Sequence, residues 1–197
     1  MRLFVALNLP HELRREIYDA AAPLRALGLP VRWVDPAQIH LTLKFLGEVP
    51  EPEVAAVGAC IASVARRHEP FALRIGGLGG FPSLERPRVL WLGVQAPPVL
   101  GALQAALEKE LEALGFAPED RPFRPHLTLG RVRTDARGGS FRGLGERAGA
   151  LRIDATVAVR TVDLMRSTLD PRGARYDRIA GSPLGVAAMV NEHDTIS

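Results

Sequence analysis

The tetrapeptide His-Leu-Thr-Leu occurs twice, at His40–Leu43 and at His126–Leu129. Alternate side chains of an extended strand share a face, so His40, Thr42 and Lys44 are expected on one side and Leu41, Leu43 and Phe45 on the other. The same alternation puts Arg124, His126 and Thr128 opposite Leu127 and Leu129. The leucine faces suit cover by helices. The polar faces need water, a ligand or each other, because a buried unpaired polar group costs about 1–3 kcal/mol. Two imidazoles, two hydroxyls and nearby cations around one volume suit chemistry at a phosphodiester. Histidine is both acid and base near neutral pH. Hydroxyls and cations can hold the non-bridging oxygens as a bond to phosphorus breaks.

Other chemistries fit less well. A catalytic zinc site takes three protein ligands, and neither motif has a carboxylate nearby on its polar face, so no metal and no cofactor is implied. No Ser or Cys sits in an evident nucleophile setting. Gly76–Phe81 (GGLGGF) lacks the Gly-Lys-Ser/Thr ending of a P-loop and reads as a turn. Cys60 is the only cysteine, which excludes an internal disulfide, and it reads as an inert buried thiol. Trp33 and Trp91 read as core residues. His11, His68 and His193 receive no role.

The elements that position the motifs follow from periodicity. Arg2–Leu9 reads as a strand. Pro10 opens a helix with Leu13, Ile17, Ala20, Leu24 and Leu27 on one face. Val31–Val34 is a short extended piece and Ile39–Leu46 a strand. Pro50 and Pro52 open a second helix carrying Val54, Val57, Ile61 and Val64. Strands at Phe71–Ile75 and Val89–Val94 flank a Gly/Pro-rich loop. A third helix carries Leu100, Leu103, Leu107, Leu111 and Leu114. Phe123–Val132 reads as a strand, 133–149 as a mobile loop, and Leu151–Leu164 as a strand. Arg175–Ala180 is its hairpin partner across Asp170-Pro171-Arg172-Gly173. Strand, helix and HLTL recur in the same order in both halves. The expectation is therefore an α+β fold, bilobal by duplication, with two mostly antiparallel sheets facing a central cleft and helices outside. Residues 1–184 form the domain and 185–197 a flexible tail.

The chain has 197 residues, 47% hydrophobic and 24% charged, an ordinary globular balance. Its 25 basic residues against 22 acidic give a net charge of +3, and only Lys44 and Lys109 are lysines. Arginine forks onto phosphate, so this bias allows a phosphate-bearing partner without demanding one. No apolar run approaches the ~20 residues of a membrane span, which with the N-terminal pattern implies a soluble cytoplasmic protein, expected as a monomer.

Two stretches resemble the signature regions of the RNA 2',3'-cyclic phosphodiesterases, also called bacterial and archaeal 2'-5' RNA ligases, of the two-histidine phosphoesterase superfamily. They are RWVDPAQIHLTLKFLGEV (Arg32–Val49) and RPFRPHLTLGRVR (Arg121–Arg133). The opening RLFVALNLP, Gly77–Val94 and Ser167–Leu184 resemble further family segments. The resemblance implies hydrolysis of a ribose 2',3'-cyclic phosphate to a 2'-phosphate, reversible as ATP-independent 2'-5' ligation, with RNA ends or nucleotides as partners. It casts His40 as proton donor to the leaving 3'-oxygen, His126 as the base for water, and Thr42, Thr128 and Arg131 as phosphate contacts. Lys44 and Arg124 join them on strand geometry. Alternation alone sets Arg131 opposite His126, so a bulge or strand end has to turn it in. Gly130 stands where the family often has Ala. The alternatives are 2'-5' oligoadenylate or another cyclic-phosphate phosphodiesterase, or a non-catalytic RNA-end-binding module.

Overall fold

The computed structural model describes residues 1–137, 139–148, 153–170 and 173–185. Parts of the expected 133–149 loop and of the 151–164 strand, and all of the tail beyond Gly185, lie outside them. The first strand, β1 (Arg2–Asn8), leads into helix α1 (His11–Ala20), a single turn α2 (Ala22–Arg25) and the short strand β2 (Val31–Trp33). Strand β3 (His40–Glu48) carries the first motif. Helix α3 (Val54–Ala65) follows a 3-10 turn at Glu51–Glu53, then β4 (Phe71–Phe81), β5 (Val89–Gln95) and helix α4 (Pro98–Glu112). The second motif opens β6 (His126–Val132). A short helix α5 (Leu144–Ala148) and strands β7 (Asp154–Val159), β8 (Thr161–Asp170) and β9 (Gly173–Pro183) complete the described chain.

The expected α+β architecture is the one that forms, but the two expected sheets are joined through β3 and β6 into one nine-stranded sheet. Every strand pairing among the described residues is antiparallel, in the order β7-β4-β5-β6-β3-β1-β8-β9, with β2 on the side of β6. Outward from the centre run β3, β1, β8 and β9 on one side and β6, β5, β4 and β7 on the other, so the C-terminal strands β8 and β9 join the half that holds the first motif. The halves meet where β3 and β6 pair at Leu41 and Leu127. The sheet curls, since Gln38, next to β3, donates from Nε2 to the Ala174 carbonyl on β9, three strands away.

The helix periods set the core. Ile17 of α1, Val57, Ile61 and Val64 of α3, and Leu100, Leu103, Leu107 and Leu111 of α4 are buried on one face of the sheet, against Leu41, Leu43, Leu127 and Leu129. The expected glycine turn is instead strand, because β4 runs through Gly76–Phe81. A Cβ on Gly79 would come within 2.1 Å of the Trp91 ring, so a bare backbone is what lets that indole lie across β4. The strand expected over 151–164 is divided at Arg160 into β7 and β8. The 133–149 segment is less loop-like than expected. Phe141 and Leu144 bury against Leu24, Val31 and Leu90 in a small second cluster.

Lys44 departs from its expected place. In the β1–β3 register Val5 pairs with Lys44 and Ala6 with Thr42, so Leu43 is an extra residue, a β-bulge. The bulge reverses the alternation and sends Lys44 to the core face. There its buried ammonium donates to Glu108 Oε2 at 2.6 Å and to the Ala117 carbonyl at 2.8 Å. It ties β3 to α4 of the other half and has no part on the cleft face.

This placement has a measurable signature. Removing Glu108 leaves a buried charge unpaired, whereas replacing Lys44 by an apolar side chain removes charge and desolvation cost together. Glu108→Ala is expected to cost about 3 kcal/mol or more in urea unfolding. Lys44→Met should be close to neutral. Equal and small losses in both variants would contradict the burial of Lys44.

Candidate active site

His40 and His126 each begin a strand, and the two strands touch at the residue that follows each of them. Extending the Leu41·Leu127 pairing by one residue on either side sets His40 opposite Thr128 and Thr42 opposite His126. Side chains so placed share one face of the sheet, the face away from the helices.

Each ring is fixed in the same way. His40 Nδ1 donates to the Gln38 carbonyl at 2.7 Å, and His126 Nδ1 to the Arg124 carbonyl at 2.7 Å. A carbonyl only accepts, so the proton of each neutral ring is on Nδ1 and the lone pair on Nε2. Tyr176 meets His40 edge-on, with centroids 5.2 Å apart at 88°, and Phe81 meets His126 at 4.9 Å and 88°. Phe4 adds a second aromatic beside His40, and Trp91 one beside His126. The two sites differ in the hydroxyl. Thr42 donates to His40 Nε2 across 3.1 Å, while His126 Nε2 has no hydrogen-bond partner among the described residues.

The second motif carries the same bulge as the first. Leu90 pairs with Gly130 and Trp91 with Thr128, which makes Leu129 the extra residue. Gly130 then takes the position of Lys44 and turns to the packed side. A Cβ there would lie 2.5 Å from Val31 Cγ1, which accounts for glycine. Arg131 takes the position of Phe45, and both return to the cleft face. This is the turn that the resemblance required of Arg131. Its charge reaches both imidazoles. Arg124 is exposed and precedes the strand, so alternation does not govern it. Its carbonyl, not its guanidinium, engages His126.

Burial holds both rings neutral. It is the largest influence on His40, which falls from 6.5 to about 4. The Gln38 carbonyl opposes the fall, and the charges of Arg14, His126 and Arg131 add to it. His126 is lowered for the same first reason, opposed by the Arg124 carbonyl and helped by Arg131. Among the described residues no group of three His, Cys, Asp or Glu converges on a metal-sized point.

Tyr176, Phe4, Phe81 and Arg14 lie outside the set of expected site residues. Tyr176 had a signal in its hairpin position. Phe4 and Arg14 had none, since an apolar residue in a strand and an arginine in a helix are ordinary, and Phe81 ends the segment that reads as a turn. Trp91, expected in the core, instead stands half-buried beside Phe81 and His126.

The chain matches the 2'-5' RNA ligase superfamily over residues 10–171. It belongs to that superfamily. An RNA 2',3'-cyclic phosphodiesterase of Methanothermobacter thermautotrophicus is 35% identical over 89% of this chain and 95% of its own. One from Thermus thermophilus is 36% identical over 89% of this chain and 86% of its own. Among solved structures, TT0787 of Thermus thermophilus superposes with a TM-score of 0.76 at 32% identity, covering 93% of this chain and 98% of that one. LigT of E. coli, complexed with 3'-AMP, gives 0.75 at 28% identity, over 93% and 97%. The superfamily expected from the two HLTL segments is thus the one found.

The two lowered imidazoles predict a titration. In NMR, His40 should titrate near 4 and His126 below 6.5, both neutral at pH 7. The unfolded chain takes up these protons first, so the two rings withdraw stability as pH falls from 6.5 toward 4. A His40 midpoint at or above 6.5 would contradict its burial.

Proposed function

We propose that this protein hydrolyses the 2',3'-cyclic phosphate of an RNA end or nucleotide to a 2'-phosphate, by acid–base catalysis from His40 and His126 and without a metal. The observation that carries the reading is the pair of Nε2 atoms, one from each half, flanking the seam between β3 and β6 with both Nδ1 protons engaged behind them. The relatives named RNA 2',3'-cyclic phosphodiesterase and the 3'-AMP bound to E. coli LigT support the substrate class.

In this mechanism His126 Nε2 takes a proton from water as the oxygen attacks phosphorus. The bond from phosphorus to the 3'-oxygen breaks, and His40 Nε2 gives that oxygen a proton. The product is a 2'-phosphate monoester beside a free 3'-hydroxyl. His40 is neutral in the free protein, so its second proton is taken up from solvent as the anionic substrate binds. The phosphate's negative charge offsets the cations around the buried ring, and a low-dielectric position strengthens that offset. Thr42 then exchanges its bond to His40 for a phosphate oxygen. Thr128 and Arg131 hold the remaining non-bridging charge. A 5'-hydroxyl in place of water gives a 2'-5' linkage with no net change in phosphodiester count, which is why ligation needs no ATP.

His40→Ala and His126→Ala should each lower turnover of a 2',3'-cyclic nucleotide by about 10²–10⁴. Phosphorus NMR should find the 2'-phosphate, and EDTA should leave the rate unchanged. Wild-type turnover in either variant would remove these residues from the chemistry. A 3'-phosphate product would reverse the two roles, and loss of rate in EDTA would favour a metal-dependent route. Binding of RNA ends with no hydrolysis would leave a binding module.

A further inference from the structure

The cleft face holds a charged pair outward from His40, Asp163 and Arg178. In the sheet register Thr42 pairs with Ala6, Ala6 with Asp163, and Asp163 with Gly181. Asp163 is 1% exposed. Asn8, the register partner of His40, donates from Nδ2 to Asp163 Oδ2 at 2.8 Å. Asp163 Oδ1 is buried without a hydrogen bond. The guanidinium of Arg178 lies 3.7 Å from that oxygen, with its side chain 62% exposed. The position opposite is Gly181, where a Cβ would stand 2.9 Å from Oδ1, so the bare strand leaves room for the pair.

An ionised carboxylate with an unfilled lone pair is costly to bury, and a cation at 3.7 Å offsets that cost through charge alone. The contact is too long for a hydrogen bond, so Arg178 is drawn over the cleft face while its N–H donors stay uncommitted among the described residues. Its neighbours differ. Arg166 and Arg175 are engaged by Asp177, which shares the other face with Arg166. Arg178 shares its face with Tyr176, the residue set edge-on to His40. Arg178 is on β9, but its guanidinium sits over Asp163 of β8, two strands from β3 and so about 10 Å away along the sheet at about 4.8 Å per strand. That is beyond the reacting phosphorus but within reach of the next phosphate of a chain.

We propose that Arg178, seated on buried Asp163, contacts a phosphodiester of the RNA adjoining the cyclic end, and so gives the enzyme a preference for oligonucleotides over mononucleotides. The inference rests on the proposed hydrolysis and adds its second anion subsite. Asp163 is a positioning residue and acts through Arg178.

The test compares kinetics on a 2',3'-cyclic mononucleotide and on a short RNA ending in a 2',3'-cyclic phosphate. For the short RNA, Arg178→Ala should raise KM about tenfold with kcat unchanged, the scale of one charged hydrogen bond. It should also weaken the salt dependence of binding by about one phosphate contact. The mononucleotide, lacking that phosphate, should keep its wild-type constants. Arg178→Lys should recover part of the loss, and Asp163→Asn should raise KM on the short RNA alone. An unchanged KM for the short RNA overturns the inference, as does an equal loss on both substrates. Normal mononucleotide turnover in those variants would leave the proposed chemistry standing, whereas a wild-type protein inactive on both substrates would defeat that chemistry itself.

Discussion

The pairing of Leu41 with Leu127 is the contact on which the active face depends. It joins the two halves of the nine-stranded sheet through the residues that follow the two histidines. Its stability comes from the leucine faces. Leu41, Leu43, Leu127 and Leu129 are buried beneath the helices in one continuous core. Because a strand alternates, burying the leucines turns His40, Thr42, His126 and Thr128 to the opposite face. The hydrophobic effect thus orients the polar groups without contacting them.

The symmetry of this arrangement is close in the rings and broken around them. Both imidazoles have the same carbonyl contact and the same edge-on aromatic. Beyond the bulge at Leu43 or Leu129, one half has Lys44 and Phe45 and the other Gly130 and Arg131. Lys44 becomes a buried strut to Glu108, while Gly130 lets β2 pack closely. Phe45 remains 59% exposed on the cleft face where the other half sets a cation. Both rings thus lie among aromatics, but His40 is the more deeply buried, and the half that holds His126 also carries Arg131 on the cleft face. Two like rings thus acquire unlike surroundings.

Much of this is legible in the residues. The leucine spacings of α1, α3 and α4 mark their buried faces, and the repeated motif marks the two strands that meet at the centre of the sheet. The failures share a cause. A single extra residue at Leu43 reverses the alternation, and nothing in HLTLKF marks where it falls, so alternation alone puts Lys44 on the wrong face. The same device at Leu129 brings in Arg131, which alternation excludes. GGLGGF reads as a turn because glycine usually interrupts strands, yet here its lack of a side chain accommodates Trp91. Tyr176, Arg178 and Asp163 reach the cleft through sheet curl and long-range pairing, which no local pattern encodes.

In the proposed reaction two rings from two halves serve one phosphorus. Titration with inorganic phosphate, followed through the Nε2 resonances of His40 and His126, tests it directly. The account predicts that both rings respond along one isotherm of 1:1 stoichiometry, with both pKa values raised in the complex. Response of one ring alone, or two isotherms of different affinity, would contradict a shared site.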